Sequence, residues 1–308
     1  MKLTYRRVLI IADIEGSSDC WDYEGSSWLT PAWRRACRGM TRDVAAVVRA
    51  VLDAGAEDVR VKDFHRTGYN LLSEWIDPRA RVIQGYRPGP VPGIGDPGRT
   101  EAAVFLGMHA ASGTRGFLAH TLTSRLAALR VNDRPMTELE LFAASLAPFG
   151  IRPAFFSGCP TACDQARAVI SGLPVFPIDK SDGPGSFRPA LWRRNLAEAA
   201  VRSIQQSAPP PYEPAGPFKA EIVLRDGPQA VQKIADRWGV DHDTDRVFLS
   251  APDIHTLYAD LIRLCYLTPT MERAIRPALS LYRLMGRLGL IWVRRRLRPL
   301  PPPCGLTP

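Results

Sequence analysis

Short apolar runs of strand length alternate with longer helical patterns through the first two hundred residues. Few folds accept that alternation: it calls for βαβ units assembled into a mainly parallel sheet. Runs at 8–12, 58–62 and 102–106 read as the first three strands. Between the first two, Val44, Val47, Val48, Val51 and Leu52 share one face of a helix over 42–54 that Gly55 ends. Short strands are expected at 117–122 and 126–131, followed by a helix over 138–146. The pattern continues as a strand at 153–156, a helix at 162–170, a strand at 175–178 and a helix at 191–204.

The Pro-rich segment 208–217 can hold neither a helix nor a central strand and marks a linker. Strands at 220–224 and 246–249 and helices at 229–238 and 254–267 follow it. The expected fold is therefore α/β, a mainly parallel sheet flanked by helices, with a smaller α+β domain after it. Its parts are 1–207, 218–275 and a basic Pro/Arg-rich C-terminal extension, 276–308, which ends in the proline-rich stretch 299–303.

Composition narrows the function class. A chain of 308 residues with 45% hydrophobic and 23% charged residues can bury a full core, which excludes a largely disordered protein. Lys+Arg 40 against Asp+Glu 31 comes mostly from scattered arginines, so no nucleic-acid partner is expected. The six cysteines are too dispersed for a disulfide framework, and none has the C-x-x-C spacing of a structural zinc site. Cys159 and Cys163 fit instead as small residues where a strand meets a helix. The first apolar run is too short for a signal peptide, and no stretch approaches the ~20 apolar residues of a membrane span. A cytoplasmic location is expected.

Five residues of types that divalent metals favour recur in order: Asp13 and Glu15, His65, His109, and Glu138. The first four sit where a strand runs out, and the open end of an α/β sheet is where such folds bind ligands. Asp13 and Glu15, two apart, would leave the same face of a strand and repel unless a cation or proton lies between them. Neighbouring parallel strands end side by side, which brings His65 and His109 to the same place and makes zinc the candidate. Glu138 falls in the first turn of its helix, where the dipole favours an anion. His120, in the strand expected at 117–122, is free to move protons.

Together Ile11-Ala-Asp13-Ile-Glu15-Gly16, Val61-Lys-Asp63-Phe-His65, Phe105-Leu-Gly-Met-His109-Ala110, Ala119-His120 and Val131-Asn-Asp-Arg-Pro135 with Glu138 resemble the D-aminopeptidase family of zinc metallopeptidases, known from bacterial dipeptide-transport operons. The resemblance runs over roughly 2–274. It implies two zinc ions per chain, with Asp13 shared by both, Glu15 and His109 on one, and His65 and Glu138 on the other. It implies that His120 is the catalytic histidine, that the chain forms a ring-shaped homo-oligomer, and that it releases N-terminal D-residues from short peptides through a metal-activated water. Asn132, Glu140 and Phe142 fall where substrate contacts are expected. The chain departs from the family pattern at Glu140 and Phe142, at Gly158-Cys159-Pro160, and at Lys62, which implies altered substrate selection.

The carboxylates and histidines would also serve a dinuclear phosphoesterase. A third reading is a catalytically inactive scaffold or binding protein recruited by its basic tail. Residues 279–293 are apolar, with Arg283 and Arg287 at helical spacing. Arg294, Arg295, Arg296 and Arg298 then cluster, a pattern compatible with weak contact to an anionic membrane surface.

Overall fold

The computed structural model of the chain describes residues 2–296. The expected proline-rich end at 299–303, and Leu297, Arg298 and Cys304, lie outside the described residues. The strands are β1 (Arg7–Ala12), β2 (Asp58–Asp63), β3 (Arg81–Ile83), β4 (Ala102–Met108), β5 (Leu126–Val131), β6 (Arg134–Pro135), β7 (Arg152–Gly158), β8 (Val175–Pro177), β9 (Phe218–Leu224) and β10 (Arg246–Ala251). The helices are α1 (Tyr23–Ser26), α2 (Pro31–Asp53), α3 (Glu138–Leu146), α4 (Pro160–Val169), α5 (Pro189–Gln205), α6 (Pro228–Trp238), α7 (Ile254–Tyr266), α8 (Pro269–Arg273) and α9 (Ile275–Arg296).

Six strands form one sheet in the order β3-β2-β1-β4-β7-β8, and every pairing in it is parallel. Alternation along its strands explains the layers. Val8, Ile10, Val59, Val61, Ala102 and Val104 point to one face and pack with α2 and α5. Leu9, Ile11, Ala103 and Phe105 point to the other, into a core shared with α3, α4, α6 and α7. Residues buried on both faces account for the continuous apolar runs.

The second sheet is antiparallel, in the order β10-β9-β5-β6. It corrects the expected boundary. The smaller unit is not confined to 218–275, because β5 and β6, from before the proline-rich segment, pair with β9 from beyond it. Periodicity cannot report that pairing, since it is decided between residues about ninety apart in sequence: Leu129 lies opposite Ile222.

Four short elements escaped sequence reading: β3, β6, α1 and α8, only three, two, four and five residues long. The helix expected over 42–54 begins well before 42, where Thr30 accepts a hydrogen bond from the Trp33 amide and Pro31 opens the first turn of α2. The expected strand at 117–122 is absent. Leu118 and Leu122 both have left-handed backbones (φ 49° and 63°), which an extended strand excludes, and the segment is a loop carrying His120.

The strand order reverses direction on either side of β1: the chain proceeds outward from β1 through β2 to β3, then returns to β4 on the opposite flank. The crevice at the strand carboxyl ends there is the expected ligand position. Ala12 is in register with Asp63 of β2 and Leu106 of β4, so β1 and β2 stop level and β4 runs two residues further.

Candidate metal centre

Asp13, His65 and His109 follow these three strand ends at once or within two residues. Gly107 makes the convergence possible. It has φ 75°, and a Cβ there would stand 2.2 Å from the Asp13 carbonyl oxygen, so only glycine lets β4 pass so close to the turn after β1. The register shift between Phe105 and Met108 lies at the same point and re-aims His109. Glu138 arrives from across the crevice as the first residue of α3, whose N-terminus is fixed by a capping box between Thr137 and Glu140. Its Oε1 accepts the Leu122 amide at 2.8 Å.

Asp13 stands between two imidazoles. Its Oδ1 lies 3.1 Å from His65 Nδ1 and its Oδ2 3.2 Å from His109 Nε2. Glu15 Oε2 is 3.2 Å from His65 Nδ1, and Glu138 Oε2 is 3.6 Å from His109 Nε2. His120 stacks on His109 with ring centroids 3.8 Å apart and brings its Nε2 to 4.0 Å from Glu15 Oε1. Two groups with ligand atoms within 4.8 Å of one another result: Asp13, Glu15 and His65, and His109, His120 and Glu138. Glu15 stands beside His65, and Glu138 beside His109.

The three imidazoles share one arrangement. His65 Nε2 faces the Ser26 carbonyl at 2.9 Å, His109 Nδ1 the Ala110 carbonyl at 3.2 Å, and His120 Nδ1 the Leu118 carbonyl at 2.8 Å. A carbonyl can only accept, so each of these nitrogens carries a proton and its ring partner is turned, as a potential electron-pair donor, toward the carboxylates.

Electrostatics show how strongly the cluster demands positive charge, which the imidazolium forms of His65 and His109 supply. Burial pulls the His65 imidazole down, but Glu15 and Asp13 together outweigh it and push it up to about 10. His109 is likewise raised well above its ordinary value, with Glu138 and Asp13 overriding burial. Burial favours the neutral acid at Asp13, yet the imidazoles of His109 and His65 beside it hold it well below the usual carboxylate range. Glu138 is lowered too, by His109 against burial. Burial, then the charge of His109, lowers His120. Three buried carboxylates thus demand positive charge at the cluster. The residues fit a metal cation. Glu15 Oε2 and His109 Nε2 are buried with no hydrogen-bond partner, and the oxygen and imidazole donors suit zinc.

The family model for D-aminopeptidases (peptidase M55) matches residues 6–260. The chain belongs to the D-aminopeptidase family. A D-aminopeptidase of Bacillus subtilis (strain 168) is 26% identical over 207 residues, 65% of this chain and 74% of that protein. The solved structure of the Zn-dependent D-aminopeptidase DppA from Bacillus subtilis, described as a self-compartmentalizing protease, has the same fold. It superposes with a TM-score of 0.75 at 23% identity, covering 84% of this chain and 97% of that one. The family match stops before α9, and among the described residues no helix is long and apolar enough to cross a membrane.

The three expected substrate contacts stand elsewhere. Asn132 is exposed at the β5–β6 turn, where its side chain bonds Pro217 O and Lys219 N. Glu140 closes the α3 capping box and pairs with Arg134 at 3.1 Å. Phe142 is fully buried, 4.4 Å from the Phe64 ring. Of the other departures, Lys62 is buried, donates to Gly85 O and lies over the Phe64 and Tyr86 rings. Cys159 caps α4, and Cys163 packs in its first turns. Arg294 of the basic cluster is paired with Glu74 at 2.7 Å.

Residues that sequence reasoning missed hold the His65 loop. Asn70 donates to Asp63 Oδ1 and to the His65 carbonyl, and its own Oδ1 accepts from Trp33 Nε1. Lys180 donates to the carbonyls of Glu15, at 2.7 Å, and Cys20. No periodic pattern signals either role: Asn70 closes a local loop back to Asp63 and His65 while Trp33 reaches it from α2, and the Lys180 partners lie about 160 residues away.

Proposed function

We propose that the chain is a zinc-dependent aminopeptidase that removes N-terminal residues, D-amino acids in particular, from short peptides. The observation that carries this reading is the position of Asp13, one oxygen toward His65 and the other toward His109. That is where a carboxylate shared by two cations would sit, with Glu15 and His65 completing one donor set and His109 and Glu138 the other. Two zinc ions per chain would supply Lewis acidity toward the scissile carbonyl and an acidified water.

The chain's own residues do the rest. His120 keeps Nδ1 on the Leu118 carbonyl, so proton transfer is confined to Nε2. With its pKa lowered the ring is neutral at pH 7, ready to take a proton and return it to the leaving amine. The carboxylates of Glu15 and Glu138 suit a substrate that enters as a free ammonium. Family membership supports peptide hydrolysis, and no observation favours the phosphoesterase or the inactive scaffold.

The deciding experiment is elemental mass spectrometry of purified wild type and His65→Ala, with hydrolysis of paired D- and L-aminoacyl peptides. About two zinc ions in the wild type, falling in the variant, with release of the N-terminal D-residue, is the expected result. Folded, metal-free protein that refuses added zinc would overturn it. The description of the structural relative as self-compartmentalizing supports a closed homo-oligomer for this chain, and light scattering should then give a multiple of 34.0 kDa.

A further inference from the structure

Arg66 directly follows His65 and is exposed between two buried neighbours. Its backbone is left-handed, φ 47°, a region that favours glycine. Its Nε donates to the Ser26 carbonyl at 2.8 Å, the same oxygen that accepts from His65 Nε2 at 2.9 Å. The guanidinium is thus anchored at the wall of the metal centre by one nitrogen. The guanidinium lies beside the Tyr23 phenol, which itself meets Ser124, in the loop that follows His120, at 3.3 Å. No carboxylate among the described residues pairs with Arg66. Lys180, also near the centre, has its ammonium spent on the Glu15 and Cys20 carbonyls.

Three buried carboxylates crowd the centre, and they repel any second anion brought close. A short peptide nevertheless carries one, its C-terminal carboxylate, about one residue length or ~3.5 Å per residue beyond the scissile bond. An anchored, planar guanidinium with no carboxylate partner of its own is the group that receives a carboxylate through two parallel N–H bonds.

Building on the aminopeptidase reading, we infer that Arg66 is the subsite for the substrate's free C-terminal carboxylate, which makes the enzyme selective for dipeptides and other very short peptides over amidated or longer ones.

The test uses the zinc-loaded full chain, D-alanyl-glycine and D-alanyl-glycinamide, and Arg66→Gly, which removes the guanidinium while suiting the left-handed backbone. In the wild type the free acid should be preferred, and Arg66→Gly should lower the acid-to-amide ratio of kcat/KM about tenfold to a hundredfold, chiefly through KM for the acid. Calorimetry with the uncleavable analogue, its scissile amide reduced to CH2–NH, should show the same selective loss of acid binding without turnover. Zinc content should match wild type.

An unchanged ratio in Arg66→Gly, or an equal fall on both peptides, would overturn the subsite while leaving the peptidase reading intact. Failure of the wild type to bind or cleave either peptide would instead sink the peptidase reading, and the subsite with it.

Discussion

His120 is the residue whose role most needs separation from its neighbours, since it stacks on His109 and lies within ligand distance of Glu138. If it moves protons, His120→Ala should keep its zinc and lose at least ~10²-fold in kcat; zinc loss would make it a ligand instead. Phe142 tests the opposite case. Its ring is wholly buried, so Phe142→Ala should cost about 3–5 kcal/mol in urea unfolding and leave KM unchanged below the melting transition. Lys62 supplies a pH test. Burial lowers it from 10.5 to about 7, so between about 7 and 10.5 the unfolded chain holds the extra proton and stability rises with pH across that window. Lys62→Met should flatten that rise in denaturation curves taken from pH 6 to 10. Asp13, Glu15, His65, His109 and Glu138 were legible in the sequence because each is tied to a strand end or helix start. Arg66 and Lys180 were not, because their partners are supplied by remote segments, and Asn70 was not, because its loop contacts follow no periodic pattern.

At the scale of elements, α9 stands out because it lies outside the family match yet packs on the segments that hold His65. Gly286 lies against Thr67 and Tyr69, Gly289 against Trp28, and Trp292 stacks on Trp33 at 6.2 Å. Arg283 donates to the Tyr86 carbonyl. A Cβ on Gly289 would come within 2.3 Å of Trp28 Nε1, so even Gly289→Ala must displace the helix or the indole. Ending the chain after Ala274 should therefore speed amide hydrogen exchange over 64–72 and weaken zinc binding, with the parallel sheet still protected. Unaltered exchange there would mean that α9 is an ornament. The helix itself was readable from the apolar spacing at 279–293. Its seat was not, because glycines that permit close approach carry no pattern of their own.

For the whole molecule, the two sheets depend on each other. β9 finds its partner in β5, and both bury residues in the core that also holds α3 and β4. Proteolysis within 208–217 should leave the two fragments associated, and residues 218–296 expressed alone should fail to give a cooperative melt. Independent folding of that piece would restore the simple two-domain division that the proline-rich segment suggested.

The sequence alone determined the α/β class, the parallel strands and which residue types gather at their ends, because alternation, helical spacing and strand termini are local properties of the chain. The tertiary structure decided what depends on distance across the fold. It set Glu15 beside His65, turned Asp13 toward two imidazoles, withdrew Asn132, Glu140 and Phe142 into a hairpin, a cap and the core, and left Arg66 at the rim with no carboxylate partner among the described residues. Those outcomes follow from which buried charges meet which, and side-chain geometry in three dimensions fixes that.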